Sequence, residues 1–93
     1  MTKPALAAIV LRCADVEATA DFYRNVGLVL NPERHGEGPE HYSCHLSGVL
    51  LELYPGGSFI DGPRERITLR LGSQEGALLT DPDGRRVEIQ PIS

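Results

Sequence analysis

The chain has 93 residues, which suits one domain with a modest core, because domains contain about 50–250 residues and small ones bury the least surface. Nine basic against thirteen acidic residues give a net charge of −4, and the arginines are scattered, which argues against nucleic-acid binding. No run of about 18 apolar residues and no secretory signal pattern occurs. We therefore expect a soluble, cytoplasmic protein without a membrane partner.

The first half of the chain predicts one helix between strands. Residues 6–13 favour a strand, and extended structure resumes at 28–34, where Pro32 indicates an edge or a bend. Asp15 has the character of a helix N-cap, and Gly27 that of a left-handed stop. The apolar stripe of the predicted helix contains Val16, Thr19, Ala20, Phe22, Tyr23 and Val26.

The second half of the chain predicts strands only. A Ser-Gly dipeptide joins two of them as a hairpin, and the sequence DPDG forms the turn of a closing hairpin. The order of one strand, one helix and six further strands predicts an α+β fold in a single domain, residues 1–93. The predicted strands of this half cover residues 40–46, 49–54, 66–71, 77–80 and 85–90.

Alternation along these strands divides the side chains between two faces. One face is apolar and should pack against the helix, and the other mixes polar with apolar groups, as the lining of a small-molecule cleft does. The apolar face is predicted to contain Ile9, Leu11, Cys13, Val49, Leu51, Leu53, Ile67, Leu69, Leu71, Val87 and Ile89. The polar face is predicted to contain Val10, Arg12, His41, Ser43, His45, Leu50, Glu52, Tyr54, Arg66, Thr68, Arg70, Glu88 and Gln90.

The two cysteines, Cys13 and Cys44, lie in apolar strand-like runs without C-x-x-C spacing. Free cysteine is among the most buried residue types, and cytosolic thiols stay reduced. We therefore predict two buried free thiols.

Three segments carry a resemblance to a known family. They are LRCADVEATADFYRNVGL, VLLELY and DPDGRRVEIQ, which occur in this order and together span nearly the whole chain. They resemble the vicinal oxygen chelate superfamily, which includes glyoxalase I, extradiol dioxygenases and bleomycin resistance proteins. The resemblance implies two βαβββ modules whose sheets curl into a cup, usually assembled as dimers.

The resemblance also implies four metal-ligand positions, one on each of four strands. They fall on Ala8, Glu52, Arg66 and Glu88 of this chain. Alanine has no ligand atom, and a guanidinium has no lone pair, so we expect no metal cofactor there. The alternative is a divalent metal ion such as Mg²⁺ or Mn²⁺, bound by Glu52 and Glu88 with waters.

Six polar side chains are candidates for binding a small molecule, although each could be an ordinary surface residue. Arg66 is predicted to neutralise Glu88, and a metal-bound or a solvated Glu88 are the alternatives. Two histidines four residues apart lie about 13 Å from each other along a strand, too far to share an ion without a third element. The candidates are His41, His45, Glu52, Tyr54, Arg66 and Glu88.

The segment GSQEG, residues 72–76, stands where the family has a second helix and a strand. A shortened second module should leave one apolar sheet face without helical cover within the chain, which favours a homodimer. The function expected first is a small glyoxalase-like or bleomycin-resistance-like protein that binds a small organic molecule without metal in a dimeric sheet cleft. The alternatives are a metal-dependent lyase or dioxygenase with Glu52 and Glu88 as ligands, and a non-catalytic protein-interaction module.

Overall fold

A computed structural model describes residues 3–58, 65–72 and 75–92. This part of the chain contains one helix and seven strands in two sheets, which confirms the predicted α+β class. The predicted strand at 28–34 shortens to three residues, and the other elements agree within two residues. The elements are β1 (Ala8–Cys13), α1 (Val16–Asn25), β2 (Asn31–Glu33), β3 (His41–Leu46), β4 (Val49–Pro55), β5 (Arg66–Leu71), β6 (Ala77–Thr80) and β7 (Arg86–Pro91).

The first sheet, called sheet A, has the strand order β1-β4-β3-β2. Strand β1 runs parallel to β4, whereas β3 is antiparallel to both β4 and β2. Parallel neighbours need a long crossover connection, and α1 lies in the connection that leaves β1. Sheet A and α1 therefore form the βαβββ module that the resemblance implies.

The second sheet, called sheet B, has the strand order β5-β7-β6. Strand β5 is parallel to β7, and β6 is antiparallel to β7. Sheet B thus repeats the β1-β4-β3 part of sheet A, and within the described residues it has no helix of its own. Residues 73–74, in the predicted replacement for the second helix, lie outside the described part.

Local signals in the sequence account for the ends of α1 and for the first hairpin. The Asp15 carboxylate accepts a hydrogen bond from the backbone N–H of Ala18 at 3.0 Å, as an N-cap does. Gly27 follows the helix with φ of 115°, a conformation that favours glycine. Ser47 and Gly48 have φ of 47° and 87°, the positive values that a tight two-residue hairpin turn requires.

One buried cluster joins α1 to the apolar faces of both sheets. Tyr23 of α1 is fully buried in this cluster. Leu69, Val87 and Ile89 of sheet B belong to the same cluster and are only 7%, 0% and 4% exposed. The predicted lack of helical cover does not leave this face exposed. The centre of the face is buried because one core serves both sheets.

The closing turn, residues 81–85, anchors sheet B to α1 and to the segment that precedes it. The Asp81 carboxylate accepts a hydrogen bond from the Tyr23 hydroxyl at 2.8 Å. The Asp83 carboxylate accepts one from the backbone N–H of Ala14 at 3.0 Å. The sequence interpretation took DPDG only as a turn, and it missed that both aspartates are buried anchors.

Arg85 completes this anchor from within the same turn. Its guanidinium lies 3.2 Å from an oxygen of Asp81 and 3.0 Å from an oxygen of Asp83. It also donates a hydrogen bond to the backbone carbonyl of Arg12 at 2.6 Å. A buried cation thus joins the two buried carboxylates to the end of β1.

An open groove of about 450 Å³ remains between the two sheets. We call it the intersheet groove, and its walls are mostly apolar. It shows that part of the apolar faces is left uncovered even though their centre is buried. The groove is lined by Ile9, His45, Leu46, Ser47, Val49 and Leu51 of the first module and by residues 67–71 of β5.

The helix in the described part of the chain lacks the length and apolar character needed to cross a membrane.

Candidate functional site

The structure puts the six candidate ligand-binding residues in three places. Four lie on sheet A, one of them at the intersheet groove, and two lie on sheet B. Glu52 contacts His41, and Glu88 contacts Arg66 and Thr68, so each carboxylate has these partners within its own sheet. The residues are His41, Glu52 and Tyr54 on sheet A, Arg66 and Glu88 on sheet B, and His45 at the groove.

On sheet B, Arg66 forms an ion pair with Glu88, as the sequence predicted. The Arg66 guanidinium donates to Glu88 Oε1, and Thr68 Oγ1 lies 3.4 Å from the same oxygen. The hydrogen bond from Arg66 lowers the pKa of Glu88. The Arg66 side chain is 60% exposed, so solvent screens the ion pair and the pair contributes little to the stability of the fold. Its main effect is to neutralise the charge of Glu88. Both side chains line a cavity of about 390 Å³.

Replacing Arg66 by methionine should raise the pKa of Glu88 towards its ordinary value, as measured by NMR titration of the side-chain carboxyl carbon. Because Arg66 depresses the folded-state pKa, its stabilising effect is present above the unfolded-state pKa and disappears as the pH falls through the folded-state pKa. Arg70→Met, on the same strand, is the control and should leave the pKa unchanged. An unmoved pKa in the Arg66 variant would contradict the assignment.

The family's metal-ligand positions do not fit a metal ion in this chain. Ala8 has no ligand atom, and the Arg66 guanidinium binds the carboxylate of Glu88. The Glu52 carboxylate lies beside the His41 ring instead. A cation at these positions would have to compete with an arginine that is already in place.

Sheet A carries a stacked array on its polar face. The rings of His41 and Tyr54 stack with centroids 4.1 Å apart and planes 9° from parallel. The Arg12 guanidinium lies 5.3 Å from the centre of the Tyr54 ring, and the His35 ring lies 5.1 Å from that of His41. His41 is only 1% exposed, so this predicted ligand-binding side chain is covered by its neighbours.

Two further residues, Glu33 and His35, join His41 at this array. Glu33 Oε2 lies 3.3 Å from His35 Nε2 and 3.5 Å from His41 Nε2. Glu52 Oε2 lies 3.6 Å from the same nitrogen of His41. The hydrogen bond from the Ser43 hydroxyl is the main cause that lowers the pKa of Glu33, which keeps the carboxylate ionised.

Sequence reasoning missed Glu33 and His35, although a signal was present. The two residues are separated by one position at the end of an extended segment, so their side chains leave the strand on the same side. The missing information was the register of β2 against β3, which places Glu33 opposite His41.

Comparison with known proteins identifies the fold. No family model and no curated protein sequence matches the chain. Solved structures match over nearly the whole chain, and they have the vicinal oxygen chelate fold. The oxidase ChaP-H2 matches with a TM-score of 0.74 at 17% identity, covering 99% of this chain and 96% of its own. TnmS3, an antibiotic binding protein from Streptomyces sp. CB03234, matches with a TM-score of 0.70 at 18% identity, covering 100% and 99%.

A third structure, a bleomycin-binding protein complexed with bleomycin, matches with a TM-score of 0.58 at 18% identity, covering 99% of this chain and 100% of its own. The chain therefore has the fold that the sequence resemblance implied. At these identities the likeness concerns the fold, and the function has to be argued from this chain's own residues.

Proposed function

We propose that the chain, residues 1–93, is a single domain that binds a small polar organic molecule on the polar faces of its sheets. It works as a homodimer and does not use the metal position of the family. The observation that carries the proposal is the Arg66–Glu88 ion pair beside a cavity of about 390 Å³. This volume is within the range of about 300–1,000 Å³ that small-molecule sites occupy.

Charge and exposure at this ion pair favour a binding role. Arg66 is tied to Glu88 by one side of its guanidinium and keeps most of its surface exposed. A planar guanidinium has five N–H donors, so donors remain for a carboxylate or carbonyl group of a ligand. Two proteins with this fold, TnmS3 and the bleomycin-binding protein, bind antibiotics. Ligand binding by these two proteins supports the proposal that this chain also binds an organic molecule.

The first strand supports the homodimer. Strand β1 is an edge strand of sheet A. Ile9 and Val10 in this strand are exposed, and so is Leu6 just before it. An exposed apolar edge strand is a template for association, and the intersheet groove adds uncovered apolar surface next to Ile9. A second copy on this face would bury side chains that one chain leaves in water.

The cysteines support a cytoplasmic location. Cys13 and Cys44 are free and buried, as the sequence predicted. Burial raises the pKa of both thiols, which keeps them protonated and unreactive at neutral pH. Free thiols persist in a reducing compartment.

A ligand screen on chelator-treated protein tests the proposal. The probes are bleomycin and a panel of polar aromatic and carboxylate compounds, detected first by thermal shift and then by calorimetry. We expect at least one probe to raise the melting temperature, and Arg66→Met to weaken its binding by about tenfold or more, since one charged contact is worth at least about 1.4 kcal/mol. Arg34→Met, at an exposed arginine in the loop after β2, is the matched control.

Two further readings of the same samples separate the alternatives. Light scattering should give twice the chain mass of 10.1 kDa. Turnover of a probe that disappears in both Glu52→Gln and Glu88→Gln would favour the lyase or dioxygenase instead. A monomer that responds to none of the probes would overturn the proposal.

A further inference from the structure

We propose that Glu33, His35 and His41 form a binding site for a divalent transition metal ion of the Zn²⁺ class, with Glu52 beside it. Within residues 3–58, 65–72 and 75–92, these three side chains are the group whose ligand atoms all lie within 4.8 Å of one another. None of the three occupies a metal position of the family, and the site does not depend on the proposed organic ligand.

The distances from the Glu33 oxygen to the two histidine nitrogens match a tetrahedral metal site. The oxygen of Glu33 is 3.3 Å from the nitrogen of His35 and 3.5 Å from that of His41. Ligands about 2.0–2.1 Å from a tetrahedral Zn²⁺ lie about 3.3–3.4 Å from one another. The two histidine nitrogens lie within 4.8 Å of one another, and His35 is exposed, so its ring can move the short distance that a shared ion requires.

The contacts of the His41 ring point the same way. Its Nδ1 lies 3.2 Å from the backbone carbonyl oxygen of Pro39, which can only accept a hydrogen bond, so this geometry suits an N–H at Nδ1 and leaves Nε2 as the ligand atom. Its Nε2 is buried and has no hydrogen-bond partner among the described residues. A metal-binding histidine commonly donates its other N–H to a carbonyl in this way.

The unpartnered nitrogen faces two carboxylates. Glu33 Oε2 and Glu52 Oε2 lie 3.5 and 3.6 Å from His41 Nε2. With one proton on the ring, the lone pair of Nε2 points at negative oxygens, which is unfavourable in a buried site. A cation between these atoms removes the repulsion, and two imidazoles with carboxylates are the ligands that Zn²⁺ prefers.

The surroundings orient the ligands and leave an entry path. Ser43 donates a hydrogen bond to Glu33 Oε1, which leaves Oε2 directed at the histidines. Such second contacts hold metal ligands in place. The side chain of His35 is 73% exposed, so an ion can reach the cluster from solvent.

Calorimetric titration of the untagged, chelator-treated chain with Zn²⁺ tests the site, and Co²⁺ absorption reports tetrahedral coordination. We expect one ion per chain. His35→Ala and Glu33→Gln should weaken binding by about 100-fold or more, because losing even an outer contact to a ligand costs about 10–100-fold. His35 is exposed, so its variant should stay folded. His45→Ala replaces the remaining histidine of the chain and should bind like the parent.

A second proton on the His41 ring would also explain why Nε2 lies close to the carboxylates of Glu33 and Glu52. ¹⁵N NMR of the imidazole at neutral pH distinguishes a protonated Nε2 from one that is free to bind a metal ion. The proposal requires Nε2 of His41 to be unprotonated and to shift on Zn²⁺ addition. It is overturned if Nε2 is protonated and unmoved by Zn²⁺, if Zn²⁺ is lost on desalting, or if His35→Ala and Glu33→Gln bind as the parent does. Arg66→Met should weaken binding of the organic ligand and leave Zn²⁺ binding unchanged. The two proposals can therefore fail independently of each other.

Discussion

Replacing Arg85 by methionine should lower the free energy of unfolding by about 3–5 kcal/mol, because it leaves buried carboxylates without their cation. The side chains of Asp81, Asp83 and Arg85 are 0%, 2% and 3% exposed. Water cannot replace the lost partner without opening the contact between sheet B and α1. A domain of this size is stable by about 5–15 kcal/mol, so the loss is a large fraction of the total. Urea unfolding followed by circular dichroism measures it.

Arg86→Met is the matched control for this measurement. Arg86 is the next residue, is exposed, and begins β7. Its replacement removes the same charge from the protein and should change the stability by no more than about 0.5 kcal/mol. Equal losses in the two variants would mean that net charge, and not the buried anchor, determines the effect.

Replacing Tyr23 by phenylalanine should cost about 1.5–3 kcal/mol, the range for a hydrogen bond to a charged group. The Tyr23 hydroxyl donates to Asp81 inside the core, and burial raises the pKa of this hydroxyl, so it stays protonated as a donor. The variant keeps the ring and its packing. The loss therefore reports the hydrogen bond and the buried carboxylate left behind, and thermal and urea unfolding should both detect it.

Tyr42→Phe supplies the comparison, since it removes the same group in a different setting. The Tyr42 hydroxyl donates to Glu17 at 2.6 Å, and Glu17 is exposed on α1. Water can solvate that carboxylate after the change, so we expect a loss below about 1 kcal/mol. A loss as large as that of Tyr23→Phe would show that burial of the acceptor is not the deciding factor.

The sequence predicted the elements and the fold class well because local physics determines them. The helix start at Asp15, its end at Gly27 and the Ser47-Gly48 turn follow from capping and turn preferences that need no tertiary information. Strand alternation also placed Arg66 and Glu88 on one face, and their ion pair follows from that placement.

The parts that the sequence did not predict depend on how distant segments pack. Burial of Asp81 and Asp83 follows from the docking of the closing turn on α1, and DPDG reads as an exposed turn without that contact. The grouping of Glu33 with His41 follows from the register of two strands. The sheet face predicted to lack helical cover is nevertheless buried at Val87, because the apolar faces of both sheets share one core.

The closing turn has a consequence for how the chain is made. Its contacts with the first module span 58 to 73 positions along the sequence, from Tyr23–Asp81 to Arg12–Arg85. Contacts this distant form late and slow the folding of small proteins. During synthesis, α1 therefore leaves the ribosome long before Asp81 and Arg85 of the closing turn have been added to the chain. Part of the apolar surface of the first module therefore stays exposed until the closing turn, residues 81–85, has been synthesised.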